Sequence, residues 1–189
     1  MEITMIASDF KKHLIRALSC SESAQTDYRG NIYMKDNFIY SSDGTKLYKG
    51  YLNITGKLPE YRISTLGAIM IEKNLPKKGD HTVVFDFSNH KIVLKGEGVY
   101  IQEFTVLDTG AWIPSFEEIF DYQTDKNPCR GFDMENLFPV LKTVSKNRVM
   151  MEFVTYPDSG RENTEGPVII SVLEPEITGV FVVMPFIEN

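Results

Sequence analysis

The chain has 189 residues, 42% of them hydrophobic and 24% charged, with a formal net charge of −6. That is an ordinary globular composition, long enough for one large domain or a domain and a half to bury a core without staples. The acidic balance makes the molecule as a whole repel nucleic acid and anionic membranes, so the placement of its positive charges matters more than their number.

Cys20 and Cys129 have neither metal-ligand nor redox spacing, which implies a reducing compartment, the cytoplasm, with no disulfide framework. The opening "MEITMIASDFKK" lacks the apolar core of a signal peptide, and every apolar run is too short to span a bilayer.

In chain order, the same set of elements occurs three times. The first pass is a strand, "MEITMIA", with Ser8 as N-cap of a helix over "DFKKHLIRALS", whose Phe10, Leu14 and Leu18 share a face. Strands around "GNIYMK", "FIYSS" and "KLYKGYLNIT" follow, separated by Asp36-Asn37 and Asp43-Gly44 turns. The second pass is the strand "EYRIS", a helix over "TLGAIMIEKNL" with Leu66, Ile69, Met70 and Ile71 as its apolar set, then "HTVVFDF", "KIVLKG" and "VYIQEFTVLD". The acidic, proline-bounded stretch Ile113–Pro128 reads as a linker. The third pass is "CRGFDM" as a strand, a helix in "ENLFPVLKTVS", then "RVMMEFVTY", "PVIISVLE" and "GVFVVMPFI". Proline is tolerated in a first turn but not in a helix interior, so Pro139 predicts a helix that begins near Asn136. The closing "GVFVVMPFIEN" is apolar where chain ends are usually polar. A buried strand accounts for Val182 and Val183, but not for Phe186 and Ile187 beyond a proline that cannot donate to a sheet.

Three β-α-β-β-β units resemble the sliding DNA clamps, and the bacterial DNA polymerase III β subunit family in particular. "SSDGTKLYKG" is similar to that family's A-T-D-G-H-R-L-A stretch, "VLDTGAWIPSFEEIF" to its L-x-D-G-x-F-P-D-Y segment, and "FVVMPFIEN" to its closing Y-V-V-M-P-M-R-L. The resemblance implies an α+β, clamp-like fold with helices on one side of antiparallel sheets. Residues 1–122 would form one complete domain (half-domains about 1–56 and 57–112, then the linker), and 129–189 a third half-domain. The first two passes resemble the family's middle domain, and the third resembles the second half of its last domain.

In that family the closing residues, the D-G-H-R-L turn and the interdomain proline surround a groove that captures partly apolar peptides of polymerases and other replication proteins. Carried over by position, the groove takes Tyr28, Ser42, Gly44, Thr45, Lys46 and Leu47 from the first pass. Pro114, Glu118 and Ile119 come from the linker, and Val182, Val183, Met184, Pro185 and Phe186 from the tail. The chain departs from the pattern at Thr45 and Lys46, where the family has histidine and arginine, so planar arginine contacts are lost. Glu118 replaces a basic residue and Ile187 an arginine, which makes an acidic ligand flank less welcome.

Clamp helices face the DNA. The first carries Lys11, Lys12 and Arg16 opposite its apolar face; Lys73 and Lys77 lie on or near the second, Lys142, Lys146 and Arg148 on or near the third. Phosphate contacts dominate such binding, although lysines also coat many solvated helix faces. His13, His81 and His90 stand apart, with no nucleophile or metal motif, and are expected at the surface. No catalytic residue, cofactor or metal is indicated.

Two function classes follow: a DNA tether or processivity factor that docks partner peptides, or a peptide-docking or decoy module that does not encircle DNA. The third unit lacks the neighbour that would complete a domain, which predicts a homo-oligomer. A two-fold dimer is the simplest form, a tetrameric ring the larger one, and a unit folded back on its own chain the monomeric alternative.

Overall fold

The computed structural model describes residues 2–22, 28–86, 88–89, 91–95, 102–105, 123–124, 132–144, 146–155, 167–173 and 178–184. β1 (Glu2–Ile6) runs without a loop into α1 (Ala7–Leu18), and a 3-10 turn over Tyr28–Gly30 leads to β2 (Asn31–Lys35), β3 (Phe38–Ser42) and β4 (Lys46–Tyr51). The second unit comprises β5 (Tyr61–Ser64), α2 (Thr65–Asn74), β6 (Thr82–Asp86), β7 (Lys91–Lys95) and β8 (Gln102–Thr105). The third comprises β9 (Gln123–Thr124), α3 (Met134–Thr143), β10 (Val149–Thr155), β11 (Val168–Val172) and β12 (Gly179–Val183).

All strand pairings are antiparallel. One sheet has the order β1-β6-β7-β8, the other β5-β2-β3-β4-β12-β11-β10-β9. The first two units exchange strands: β1 pairs with β6, and β5 pairs with β2. The third unit then extends the sheet of the first, with Gly179 opposite Gly50 and Val183 opposite Lys46. β12, an edge in an isolated unit, thus finds its neighbour within the chain.

The hairpin turns form as their residues dictate. Asp36 and Asn37 take positive φ of 51° and 69°, the left-handed pair that closes a two-residue hairpin. The Asn37 side chain then accepts from the Leu58 amide and donates to the Gly56 carbonyl, tying the loop after β4 to the turn.

The main core lies between the sheets and the helices and contains Phe10, Leu14 and Ala17 of α1 with Ile32, Ile39, Phe85, Ile92 and Phe181. Phe10 stacks edge-on against Phe85 at 5.3 Å between centroids. Each such side chain contributes roughly 1.5–3 kcal/mol by leaving water. A second cluster occupies the opposite face of the eight-stranded sheet: Tyr33, Tyr40, Leu47, Val154, Ile169 and Val182.

Several sequence expectations are corrected. Ser8 is not the N-cap: α1 begins at Ala7, whose amide donates to the His81 carbonyl at 2.9 Å. The neighbouring β6 end therefore satisfies an amide that a side chain would otherwise cap. Leu66 and Met70 are exposed, while Ala68 and Ile71 fill the buried face of α2. α3 begins at Met134, not Asn136, because Asp133 accepts from the Glu135 amide and starts the helix earlier. Pro139 thus sits inside the helix, and the buried Val140 and Val144 hold the turn that follows it. Phe132 and Asp133 are not strand, and the rest of the "CRGFDM" strand expectation lies outside the described residues. Within the expected linker, β9 pairs with the end of β10, Thr124 opposite Val154.

Candidate nucleic-acid and peptide interfaces

α1 and α3 border a cleft of about 370 Å³ lined by Lys12, Ile15, Arg16, Lys142, Thr143, Lys146 and Asn147. Four cations from two distant stretches of sequence meet there, in a chain whose net charge is −6. Lys12 is half-exposed and lies 3.6 Å from Asp9 one turn earlier. Arg16 is buried at the cleft wall, and Lys142 and Lys146 are exposed. Lys73, Lys77 and Arg148 are exposed elsewhere and do not line this cleft. Ile15, Thr143 and Asn147 were not singled out in the sequence, where nothing distinguishes them.

Lys11 is corrected. It is 6% exposed, and its Nζ donates to the Glu72 and Leu75 carbonyls at 2.6 and 2.8 Å and pairs with the Glu72 carboxylate at 3.1 Å. A cation at the C-terminus of α2 satisfies carbonyls that the helix leaves orphaned. This lysine is committed to packing α1 on α2 and does not face an open surface.

His13 is corrected too. It is 1% exposed, and its Nδ1 lies 2.8 Å from the Tyr48 hydroxyl. Burial, reinforced by the charges of Arg16 and Lys12, pushes its pKa down to about 3. Tyr48 packs against Phe181 at 4.7 Å between centroids and lies across the facing Gly50 and Gly179, the point where the third unit meets the first. Cys20 is wholly buried, and burial pushes its thiol up to about 12, with Ser19 offsetting part of that shift. Such a thiol is inert at neutral pH.

The turn and the tail assigned to a groove do lie side by side. Asp43 Oδ1 accepts from the amides of Thr45 and Lys46 at 2.9 and 2.8 Å and from the Thr45 hydroxyl at 2.8 Å. Lys46 Nζ lies 2.5 Å from Asp43 Oδ2. Burial alone would raise the Asp43 carboxyl, but these donors hold it below the ordinary carboxylate range. Gly44 supplies the positive φ of 93° at the bend, and its amide donates to Ser42 Oγ. The turn is thereby fixed. Thr45 Oγ1 reaches Asn136 of α3 at 3.2 Å, and the Met184 amide donates to the Thr45 carbonyl at 2.9 Å, continuing the β4–β12 ladder past Val183. In the sequence Asp43 marks only a turn and Asn136 only a helix start, and neither was assigned to the groove; the Asp-Gly-Thr signature of a side-chain-closed turn is the signal for the first.

The tail residues divide between the faces of the sheet. Val182 joins Leu47 in the second cluster and Val183 enters the main core, and all three side chains are buried. Alternation along an extended chain explains the split. Met184 is 40% exposed. Tyr28 opens the 3-10 turn ahead of β2, and Pro114, Glu118, Ile119, Pro185, Phe186 and His90 lie outside the described residues. Among the described residues, no group of three or more His, Cys, Asp or Glu side chains is placed to hold a metal ion.

This architecture is the sliding-clamp fold. No protein-family model matches the chain, and no curated protein matches it in sequence. Solved structures do. A DNA polymerase sliding clamp from Pseudomonas aeruginosa superposes with a TM-score of 0.69 at 11% identity, over 100% of this chain and 67% of the clamp. A clamp from the same organism bound to griselimycin gives 0.72 at 11% identity, over 100% of this chain and 66% of the clamp. A. fulgidus PCNA, bound to the C-terminal region of FEN-1, gives 0.63 at 9% identity, over 100% of this chain and 99% of that one. The chain thus spans about two thirds of the bacterial clamps and nearly all of the archaeal one.

Proposed function

We propose that this protein is a sliding-clamp-like DNA tether, a non-catalytic processivity factor that acts in replication. In this reading residues 1–122 form one clamp-like domain and residues 129–189 a half-domain. The observation that carries the proposal is the α1–α3 cleft: on an acidic chain with the clamp fold, the exposed Lys12, Lys142 and Lys146 converge on one concave surface, with the buried Arg16 in its wall. Such a surface suits phosphate contacts that are independent of base sequence. The protein works in the cytoplasm in this reading; no helix is long and apolar enough to cross a membrane among the described residues.

Duplex binding followed by fluorescence anisotropy across a salt series tests the proposal. Lys12, Lys142 and Lys146 are exposed and can be reversed to glutamate without opening the core. Each lysine that contacts a phosphate adds roughly −0.9 to the log–log salt slope. The triple variant should therefore bind far more weakly with a shallower slope. Unchanged affinity and slope would rule out this cleft as the DNA surface.

The junction of the turn and the tail supports a second role for the same protein, capture of a partner peptide. The Asp43-anchored turn is rigid, and Met184, half-exposed and adaptable, stands beside Thr45. The Pseudomonas clamp that binds griselimycin and the PCNA that binds the FEN-1 C-terminal region share the fold. If peptide binds and duplex does not, the protein is a docking or decoy module and not a tether. Self-association belongs to the proposal, because among the described residues no second unit pairs with the third as the first two pair with each other.

A further inference from the structure

The structure assigns to the exposed stripe of α3, Met134 and Phe138, the role of an interface that receives the third unit of a second copy of this chain. The inference rests on the self-association part of the proposed function and not on its DNA or peptide parts.

The chain carries its own template for how such a unit is completed. In each of the first two units the helix follows its strand directly: α1 starts at Ala7 after Ile6, and α2 at Thr65 after Ser64. The first and fifth helical residues lie on one stripe. In α1 these are Ala7 and Lys11, both buried, and the Lys11 Nζ reaches Glu72 of α2 and Leu75 just past its end. In α2 they are Thr65, buried, and Ile69, half-buried. In α3 the first and fifth residues are Met134 and Phe138, and they are 58% and 59% exposed. Position five, which at Lys11 meets the partner helix in the complete pair, is uncovered at Phe138 in the third unit, and Met134 one turn before it is uncovered as well.

The sheet has the same gap. β2 has β5 on its outer side and β6 has β1, each supplied by the other unit. Among the described residues β10, the matching strand of the third unit, has only the two-residue β9 there, at Val154 and Thr155. Among the described residues no strand pairs with Val149–Phe153 on that side, and Met150 and Met151 are 45% and 42% exposed. An unpaired edge beside an apolar helix stripe invites addition of a strand and a helix together.

Within this chain the element that completes a unit is another unit of the same kind, joined by reciprocal strand exchange, and reciprocity is the signature of a two-fold relation. That points to a second copy of the third unit. The transferred contact is chemically consistent as well. Lys11, fifth in α1, reaches Glu72, eighth in α2. The equivalent pair in a symmetric α3 dimer is Phe138 against Leu141 of the second copy, apolar against apolar, where the α1–α2 pair has a cation against a carboxylate.

Light scattering on the full chain at tens of micromolar, with Phe138→Glu and Phe138→Leu beside it, tests the assignment. The wild type should be dimeric. Phe138→Glu should weaken the dimer by about thirty-fold or more, and Phe138→Leu should retain it. Because Phe138 is largely exposed, the glutamate variant should keep the far-ultraviolet circular dichroism and melting behaviour of a folded monomer. If it does not fold, Met134→Glu serves as the second reading of the same stripe. A strictly monomeric wild type overturns the inference, including one that captures an apolar peptide on this face. So does a dimer that survives glutamate at Phe138 or Met134. Neither outcome alters the DNA and peptide tests, which read other surfaces.

Discussion

Lys11 Nζ of α1 lies 3.1 Å from the Glu72 carboxylate of α2 and donates to two carbonyls at the end of that helix. Lys12, its neighbour in sequence, points to solvent beside Asp9. Two adjacent lysines therefore have opposite environments. Replacing Lys11 with methionine leaves the Leu75 and Glu72 carbonyls and a partly buried carboxylate without their cation, at a cost of roughly 1–3 kcal/mol. Lys12→Met should stay within about 0.5 kcal/mol of wild type while weakening duplex binding. Urea unfolding of both variants checks this, and equal midpoints would refute the division of labour.

His13 predicts acid lability. Its folded pKa of about 3 lies below the ordinary value of 6.5, so the unfolded chain binds the proton more tightly. The stabilisation from keeping this imidazole neutral is fully present above pH 6.5 and is lost as the pH falls toward 3. The slope approaches about 1.4 kcal/mol per pH unit for one proton. His13→Gln, which can still partner the Tyr48 hydroxyl, should flatten the dependence between pH 6 and 4. Identical pH profiles of thermal stability in the two proteins would exclude His13 as the cause.

The seam between the first and third units depends on two glycines. A Cβ on Gly179 would sit 2.8 Å from Tyr48 Cε2, and one on Gly50 would sit 2.6 Å from His13 Nδ1. Neither ring has room to retreat, because Tyr48 and His13 are both buried. Gly50→Ala and Gly179→Ala should each cost roughly 1–3 kcal/mol through overpacking. Calorimetry that finds either variant as stable as wild type would show that the seam can relax.

The tail predicts a separation of binding from folding. Deleting residues 184–189 leaves β12 and its pairing with β4 intact but removes Met184 and the apolar residues after it. The shortened chain should melt within a few degrees of the full one and lose affinity for partly apolar peptides. Unchanged peptide affinity in isothermal titration would move the docking site away from the turn and tail.

Local patterns carried most of the element list. The Phe10, Leu14 spacing, the Asp36-Asn37 turn and the alternating strand runs are short-range physics, legible in any window of ten residues; the helix and the turn formed where expected, and so did the strand runs within the described residues, except at Phe132 and Asp133. The third unit lost its expected helix start because Asp133 caps α3 earlier than Pro139 alone implied. The proximity of the Ser42–Leu47 turn to the tail followed from family resemblance, and the Thr45–Met184 hydrogen bond is its geometric form.

The sequence by itself determined three repeated units, their turns and the acidic total charge. Only the tertiary structure decided which faces those units would share. Whether a lysine is a cap or a contact, as with Lys11 and Lys12, depends on which helix stands opposite, a relation between residues more than sixty positions apart. The burial of His13, the Gly50–Gly179 seam and the cleft joining Lys12 to Lys146 likewise follow from β12 pairing with β4. Hydrophobic periodicity fixes what an element is and which of its faces is apolar, but it is blind to the identity of the neighbour. That identity is set by long-range strand exchange, whose free energy arises only when the whole sheet is assembled.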